Sequence, residues 1–140
     1  MPKQEETVLE AKQAQREDSK RATFAKLKNK RRQEKEITVD LTDEDGVSEE
    51  VTMLFRAISL PSYDKLLNDH PPTTEQKAEG NTYNLDTFGP DLLSRVCVDP
   101  SLSLKEWKEI WTSSQWNRGE IMQLFFAAVE ICNKGLDVPK

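Results

Sequence analysis

Residues 37–72, ITVDLTDEDGVSEEVTMLFRAISLPSYDKLLNDHPP, contain a β-hairpin pattern that runs directly into a helix pattern. Apolar and polar residues alternate on both sides of a turn rich in Asp and Gly, which predicts two antiparallel strands over residues 37–58. Ser59 suits the N-cap and Pro61 the first turn of a helix over residues 60–69, and the HPP run ends it. Because two strands alone are marginal in water, the hairpin must pack on helices of this chain or on another subunit.

The sequence after this segment adds three further helix patterns. Residues 73–83 have loop composition, and a helix over residues 87–97 follows and stops at an Asp-Pro pair. Capping boxes of the Ser-x-x-Glu and Asn-x-x-Glu type open helices over residues 104–113 and 118–133, and residues 135–140 form a short tail. The predicted fold is α+β and mostly α, with one β-hairpin and a compact bundle of about four short helices.

The first 36 residues differ from the rest in charge and in apolar content. Residues 1–36 hold 11 Lys and Arg against 7 Asp and Glu, whereas residues 37–140 hold 9 against 18. Phe24 is the one aromatic residue before Phe55. We therefore predict a basic N-terminal arm over residues 1–36 and a folded domain over residues 37–134. The arm is rich in helix formers but lacks a sustained apolar stripe, so a long solvated helix, a helix formed on a partner and disorder all stay open.

Several classes of function lack the residues that they need. The sequence shows neither a membrane-spanning apolar run nor a secretory signal, and its glycines are too far apart for a phosphate-binding loop. The acidic turn lacks ligands at the first and twelfth positions of a calcium loop. His70 is the single histidine, and Cys97 and Cys132 have no metal-ligand spacing. Buried free thiols are the main interpretation of the cysteines, with a disulfide or a reactive thiol as alternatives. We therefore predict that the chain is not an enzyme and binds no cofactor.

Two sets of residues are candidates for partner contacts. Residues 20–35 carry eight basic residues and one acidic one, which is typical of a solvated or protein-binding segment or of a nucleic-acid contact. The acidic domain would repel phosphate, and it is instead suited to receive the basic arm of a neighbouring copy, which would give a head-to-tail oligomer. The aromatic set forms either a ligand groove or a core, and of the neighbours Phe125 and Phe126 at most one can point at the core. The candidate contact residues are Lys20, Arg21, Lys26, Lys28, Lys30, Arg31, Arg32, Trp107, Trp111, Trp116, Phe125 and Phe126.

The order and spacing of three segments resemble a known family. The segments are VTMLFRAISLPSYDKLLNDHPPTTEQ at residues 51–76, TYNLDTFGPDLLSRVCVDPSLSLKEW at 82–107 and WNRGEIMQLFFAAVEICN at 116–133. These segments resemble the tail assembly chaperones of siphovirus-type bacteriophages, especially those of actinobacterial hosts. The shared features are an R-x-I strand end, an HPPT helix stop, a Y-N-x-x-T-F-x-P segment, a V-x-P-x-L turn and a Trp before the final helix. The resemblance covers residues 37–134 and leaves the basic arm out.

The resemblance implies a non-enzymatic assembly factor with no catalytic residue to transfer. Such chaperones bind the long helical tape-measure protein, help to recruit the major tail (tube) protein, act in the host cytoplasm and are absent from the mature virion. They are usually made in two lengths, the longer by programmed ribosomal frameshifting, and this chain would be the short form. A structural tail or connector subunit that stays in the virion is the first alternative, and a small nucleic-acid-binding regulator that uses the basic arm is the second.

Overall fold

The computed structural model of the chain describes residues 20–134, so residues 1–19 of the predicted arm and the tail at 135–140 lie outside the described residues. The chain divides into two units, Met1–Arg31 and Arg32–Lys140. In the described part of the first unit, α1 (Phe24–Lys28) is a single short helix that Thr23 caps by accepting a hydrogen bond from the Lys26 amide.

The second unit confirms the predicted α+β class. Its elements are β1 (Glu34–Thr42), β2 (Ser48–Arg56), α2 (Leu60–Asp69), α3 (Thr74–Ala78), α4 (Leu85–Val96), β3 (Cys97–Asp99), α5 (Leu104–Trp111) and α6 (Arg118–Cys132). The three strands form one antiparallel sheet in the order β1-β2-β3.

The hairpin forms where the sequence predicts it, but it is longer at its start. β1 pairs with β2 from Glu34 opposite Arg56 to Thr42 opposite Ser48, so the first strand begins inside the segment assigned to the arm. The side chain of Asp43 accepts hydrogen bonds from the amides of Asp45 and Val47 at the turn, and Gly46 has φ +80°. A positive φ is readily adopted by glycine, which explains the residue at this turn.

Four other sequence predictions need correction. Residues 74–78 form α3, because Thr73 and Gln76 make a capping box in a segment predicted as a loop. Asn84 caps α4, which therefore begins before residue 87, and Cys97 leaves the helix to start the short strand β3. α5 ends at Trp111 rather than at residue 113. With α3 included, the domain has five helices among its described residues instead of about four.

A single core lies between the sheet and the helices. Phe55 of β2, Phe88 of α4, Trp107 of α5 and Phe125 of α6 are almost fully buried in it. The ring of Phe88 meets that of Phe125 edge-to-face at 5.9 Å between centroids, an arrangement that aromatic pairs favour. The sequence predicts that at most one of Phe125 and Phe126 can face the core, and Phe126 is indeed 61% exposed.

Candidate functional site

An open apolar groove lies over one face of the hairpin. Its sheet wall consists of the inward-facing residues of the two paired strands, Val39 and Leu41 of β1 and Val51 and Met53 of β2. These side chains share one face because residues two apart along a strand point the same way. The wall is only partly covered, since Leu41 is exposed and Val39 and Val51 are half-buried.

The opposite wall of the groove comes from the β3–α5 connection, from α5 and α6, and from the loop between these two helices. The residues are Pro100, Leu102, Trp107, Ile110, Trp116 and Leu124. The groove has a volume of about 460 Å³. Apart from Thr52 and Asp99 its lining is apolar or aromatic, so it suits an apolar side-chain stripe better than a polar ligand.

Capping interactions fix the helices that form this wall. Ser103 accepts from the Glu106 amide while the Glu106 carboxylate accepts from the Ser103 amide, and Asn117 and Glu120 do the same at the start of α6. The hydrogen bond with the Ser103 amide lowers the pKa of Glu106. Trp107 is buried one turn inside α5, and its Nε1 has no hydrogen-bond partner among residues 20–134. Such an unsatisfied buried donor costs about 1–3 kcal/mol.

Next to the groove lies an acidic cavity of about 480 Å³. It shares Leu41 and Trp116 with the groove, and its carboxylates are those of Asp40, Asp43, Glu49 and Glu120. Two of these are held in place, Asp43 by the turn amides and Glu120 by the Asn117 amide. The apolar groove and the acidic cavity together favour a partner that carries apolar side chains beside positive charge.

The five aromatic candidates occupy different environments. Trp107 and Phe125 are 2% and 1% exposed, so both belong to the core and neither presents an open contact face. Trp111 is half-buried, with its ring over Gly89 and 6.1 Å from the Phe125 ring centroid. Trp116 is half-buried and lines both the groove and the acidic cavity. Phe126 is exposed but does not line the groove.

The basic candidates all lie on the surface. Lys20, Arg21, Lys26, Lys28, Lys30 and Arg31 are exposed residues of the first unit, and Arg32 is exposed at the start of the second. α1 lies among them and exposes Phe24 and Leu27, which are three residues apart and therefore share one face of the helix.

The titratable groups singled out in the sequence are engaged in structural contacts. His70 Nε2 lies 2.8 Å from Asp91 Oδ2, and Arg95 Nε lies 3.0 Å from Asp91 Oδ1. Burial alone would raise the pKa of Asp91, but the hydrogen bonds from His70 and Arg95 outweigh it and lower that pKa. The pair ties the end of α2 to α4.

Both cysteines are free, and Cys97 is buried as predicted, whereas Cys132 is only partly buried. Burial raises the pKa of Cys97 to about 11, and its thiol donates to the Pro100 carbonyl. Burial also raises the pKa of Cys132. Both thiols therefore stay protonated at neutral pH, which disfavours nucleophilic reactivity. Residues 20–134 contain no cluster of side chains that would hold a metal ion, and no helix within this range is long and apolar enough to cross a membrane.

The sheet wall of the groove is absent from the contact residues predicted from the sequence. The predicted apolar contacts are tryptophans and phenylalanines, whereas Val39, Leu41 and Val51 provide much of the open apolar surface. The signal was present in the alternation of the hairpin, because a two-stranded face needs cover that short helices supply incompletely.

No protein-family model, curated protein or solved structure matches this chain.

Proposed function

We propose that this chain is a tail assembly chaperone of a siphovirus-type bacteriophage and that it binds helical segments of the tape-measure protein in the apolar groove. The single observation that supports the proposal is the open groove itself, whose walls combine a half-covered strand face with the half-buried side chains of Leu102, Ile110 and Trp116. A helical client presents apolar side chains at intervals of three and four residues, and a groove of this kind accepts such a stripe.

The proposed mechanism is reversible shielding. A bare apolar stripe on a long helical client promotes self-association, and its burial in a groove removes that surface from water at about 25 cal/mol per Å². Several copies on one client would add avidity while each contact stays weak enough to be displaced by the major tail protein. The carboxylates beside Trp116 would select segments that carry Lys or Arg next to the stripe.

The proposal places the chain in the host cytoplasm during infection, outside the mature virion, alongside a longer form made by programmed frameshifting. It assigns no catalytic role to any residue. Mass spectrometry of purified virions separates it from the alternative of a structural tail subunit, because abundant peptides of this chain in mature particles would contradict a chaperone. Salt-dependent binding to duplex DNA would instead favour the regulator that uses the basic arm.

Co-expression tests the proposal directly. The tape-measure protein is produced with the wild-type chain, with Ile110→Asp in the groove, or with the matched control Leu60→Asp. Leu60 is 73% exposed and lies outside the groove. We expect the wild type and the control to keep the client soluble and Ile110→Asp to lose that effect. Equal client solubility with and without the chain would refute the proposal.

A further inference from the structure

β1 forms an outer edge of the sheet. Among residues 20–134 no strand pairs with its outer side, because β2 lies between β1 and β3. β1 has nine residues, contains no proline and pairs with β2 without a register shift. A long regular edge with unpaired backbone groups is a surface on which another strand can pair.

The hydrogen bonds at the two ends of the hairpin identify the backbone groups that face outward. The Asp43 amide donates to the Val47 carbonyl at 2.9 Å, and the Ala57 amide donates to the Gln33 carbonyl at 2.8 Å. Antiparallel pairs alternate between bonded and non-bonded positions, so the odd-numbered residues of this strand bond to β2. The amides and carbonyls of the even-numbered residues, including Glu36, Thr38 and Asp40, therefore point away from the sheet.

We propose that a second copy of this chain pairs its β1 antiparallel with this edge, with Val39 opposite Val39 about a two-fold axis. Opposite residues of antiparallel strands point to the same face, so this register joins the apolar faces of the two hairpins. Ile37 of each copy then lies opposite Leu41 of the other, which covers a side chain that is 38% exposed. Thr38 lies opposite Asp40, and these two residues exchange the new backbone hydrogen bonds.

Charge selects this register over its neighbours. Centring the pair on Thr38 would place Glu36 opposite Asp40 twice, and centring it on Asp40 would place that carboxylate opposite itself. Like charges directly opposite in a sheet are destabilising. With Val39 at the centre, Glu36 faces Thr42, and the one like-charge pair, Glu34 opposite Glu44, lies at the two ends of the paired segment.

The same register makes a complementary charge contact. Lys35 is exposed and lies opposite Asp43 of the second copy, on the face of the strand that carries the acidic cavity. Each copy thus places one ammonium group at the cavity that Asp43, Glu49 and Glu120 line in the other. The two contacts are symmetric, which is what a two-fold interface requires.

Cysteine coupling tests the register. Facing residues at a non-bonded antiparallel position have Cα atoms about 4.5 Å apart, within the range for a disulfide. Under mild oxidation we expect Val39→Cys to give a covalent dimer, while Ile37→Cys alone couples no faster than the wild type. A mixture of Ile37→Cys and Leu41→Cys should couple. Coupling of Val39→Cys at the rate of Ile37→Cys, or a wild-type chain that sediments as a monomer up to its solubility limit, would overturn the proposal.

Thr38→Pro separates loss of the dimer from loss of the fold. Its amide faces outward, so proline removes a dimer hydrogen bond and none of those between β1 and β2. We expect circular dichroism and thermal unfolding of the monomer to be preserved while the dimer dissociates at least about tenfold more readily, which is about 1.4 kcal/mol. Lys35→Glu should weaken the dimer in the same assay, and a Thr38→Pro variant as dimeric as wild type would contradict the inference. These dimer assays contain no client protein, so their outcome does not depend on whether the chaperone proposal is correct.

Discussion

Replacing Gly89 by Ala tests the packing that holds α4 against α5. A Cβ built on Gly89 would lie 2.6 Å from Cζ3 and 2.7 Å from Cζ2 of Trp111. Carbon atoms prefer about 3.5–4.0 Å, so the indole ring must move by roughly 1 Å. Overpacking costs about 1–3 kcal/mol, and a rigid ring pressed on a helix backbone belongs at the upper end of that range. Alanine favours the helix over glycine by about 1 kcal/mol, so the free energy of unfolding should fall by about 2 kcal/mol.

The assay is equilibrium unfolding in denaturant, followed by circular dichroism at constant m value. For a domain of this size the loss corresponds to a fall in Tm of about 10 °C. Gly119→Ala is the matched control, because a Cβ there lies 3.4 Å from the Asn117 side chain. In a Trp111→Phe background the outer ring atoms are missing, so Gly89→Ala should cost about 1–2 kcal/mol less. An undiminished cost in that background, or equal stability of the two alanine variants, would refute the packing argument.

Three further predictions concern single side chains. The folded-state pKa of Asp91 is lowered, so the contribution of this carboxylate to stability is present above the usual Asp pKa of about 4 and is lost as pH falls through the folded-state pKa. Asp91→Asn should therefore reduce the free energy of unfolding at pH 7 and make it depend less on pH. Ser103→Ala removes one half of the capping box with Glu106 and should lower the free energy of unfolding, measured in denaturant, by about 1 kcal/mol. Cys97, whose pKa is about 11, should be alkylated at pH 7.5 far more slowly in the native than in the unfolded chain, as measured by mass spectrometry.

Local chemistry made much of the fold predictable. α2 spans Leu60–Asp69, as Ser59, Pro61 and the HPP stop predict, since each acts on its own backbone neighbourhood. The errors come from longer-range contacts. Cys97 continues the apolar pattern of α4, yet its backbone turns to pair with Phe55 of β2, which no local signal reveals.

The candidate site was predictable only in part. The sequence shows that Phe125 and Phe126 cannot both be buried, but it does not show which tryptophans face solvent. Trp107 fills the core, while Trp116 reaches the edge of the hairpin. The groove depends on the distance between the sheet and α5, and that distance follows from tertiary packing rather than from periodicity.

The most direct test of the central claim is the affinity of a purified helical tape-measure segment for the full chain, measured by titration calorimetry with wild type, Ile110→Asp and Leu60→Asp. A charge in the apolar groove should weaken binding at least about tenfold, or about 1.4 kcal/mol, whereas Leu60→Asp should leave it unchanged. Equal affinities for wild type and Ile110→Asp, with both variants folded, would contradict the assignment of the groove as the client-binding site.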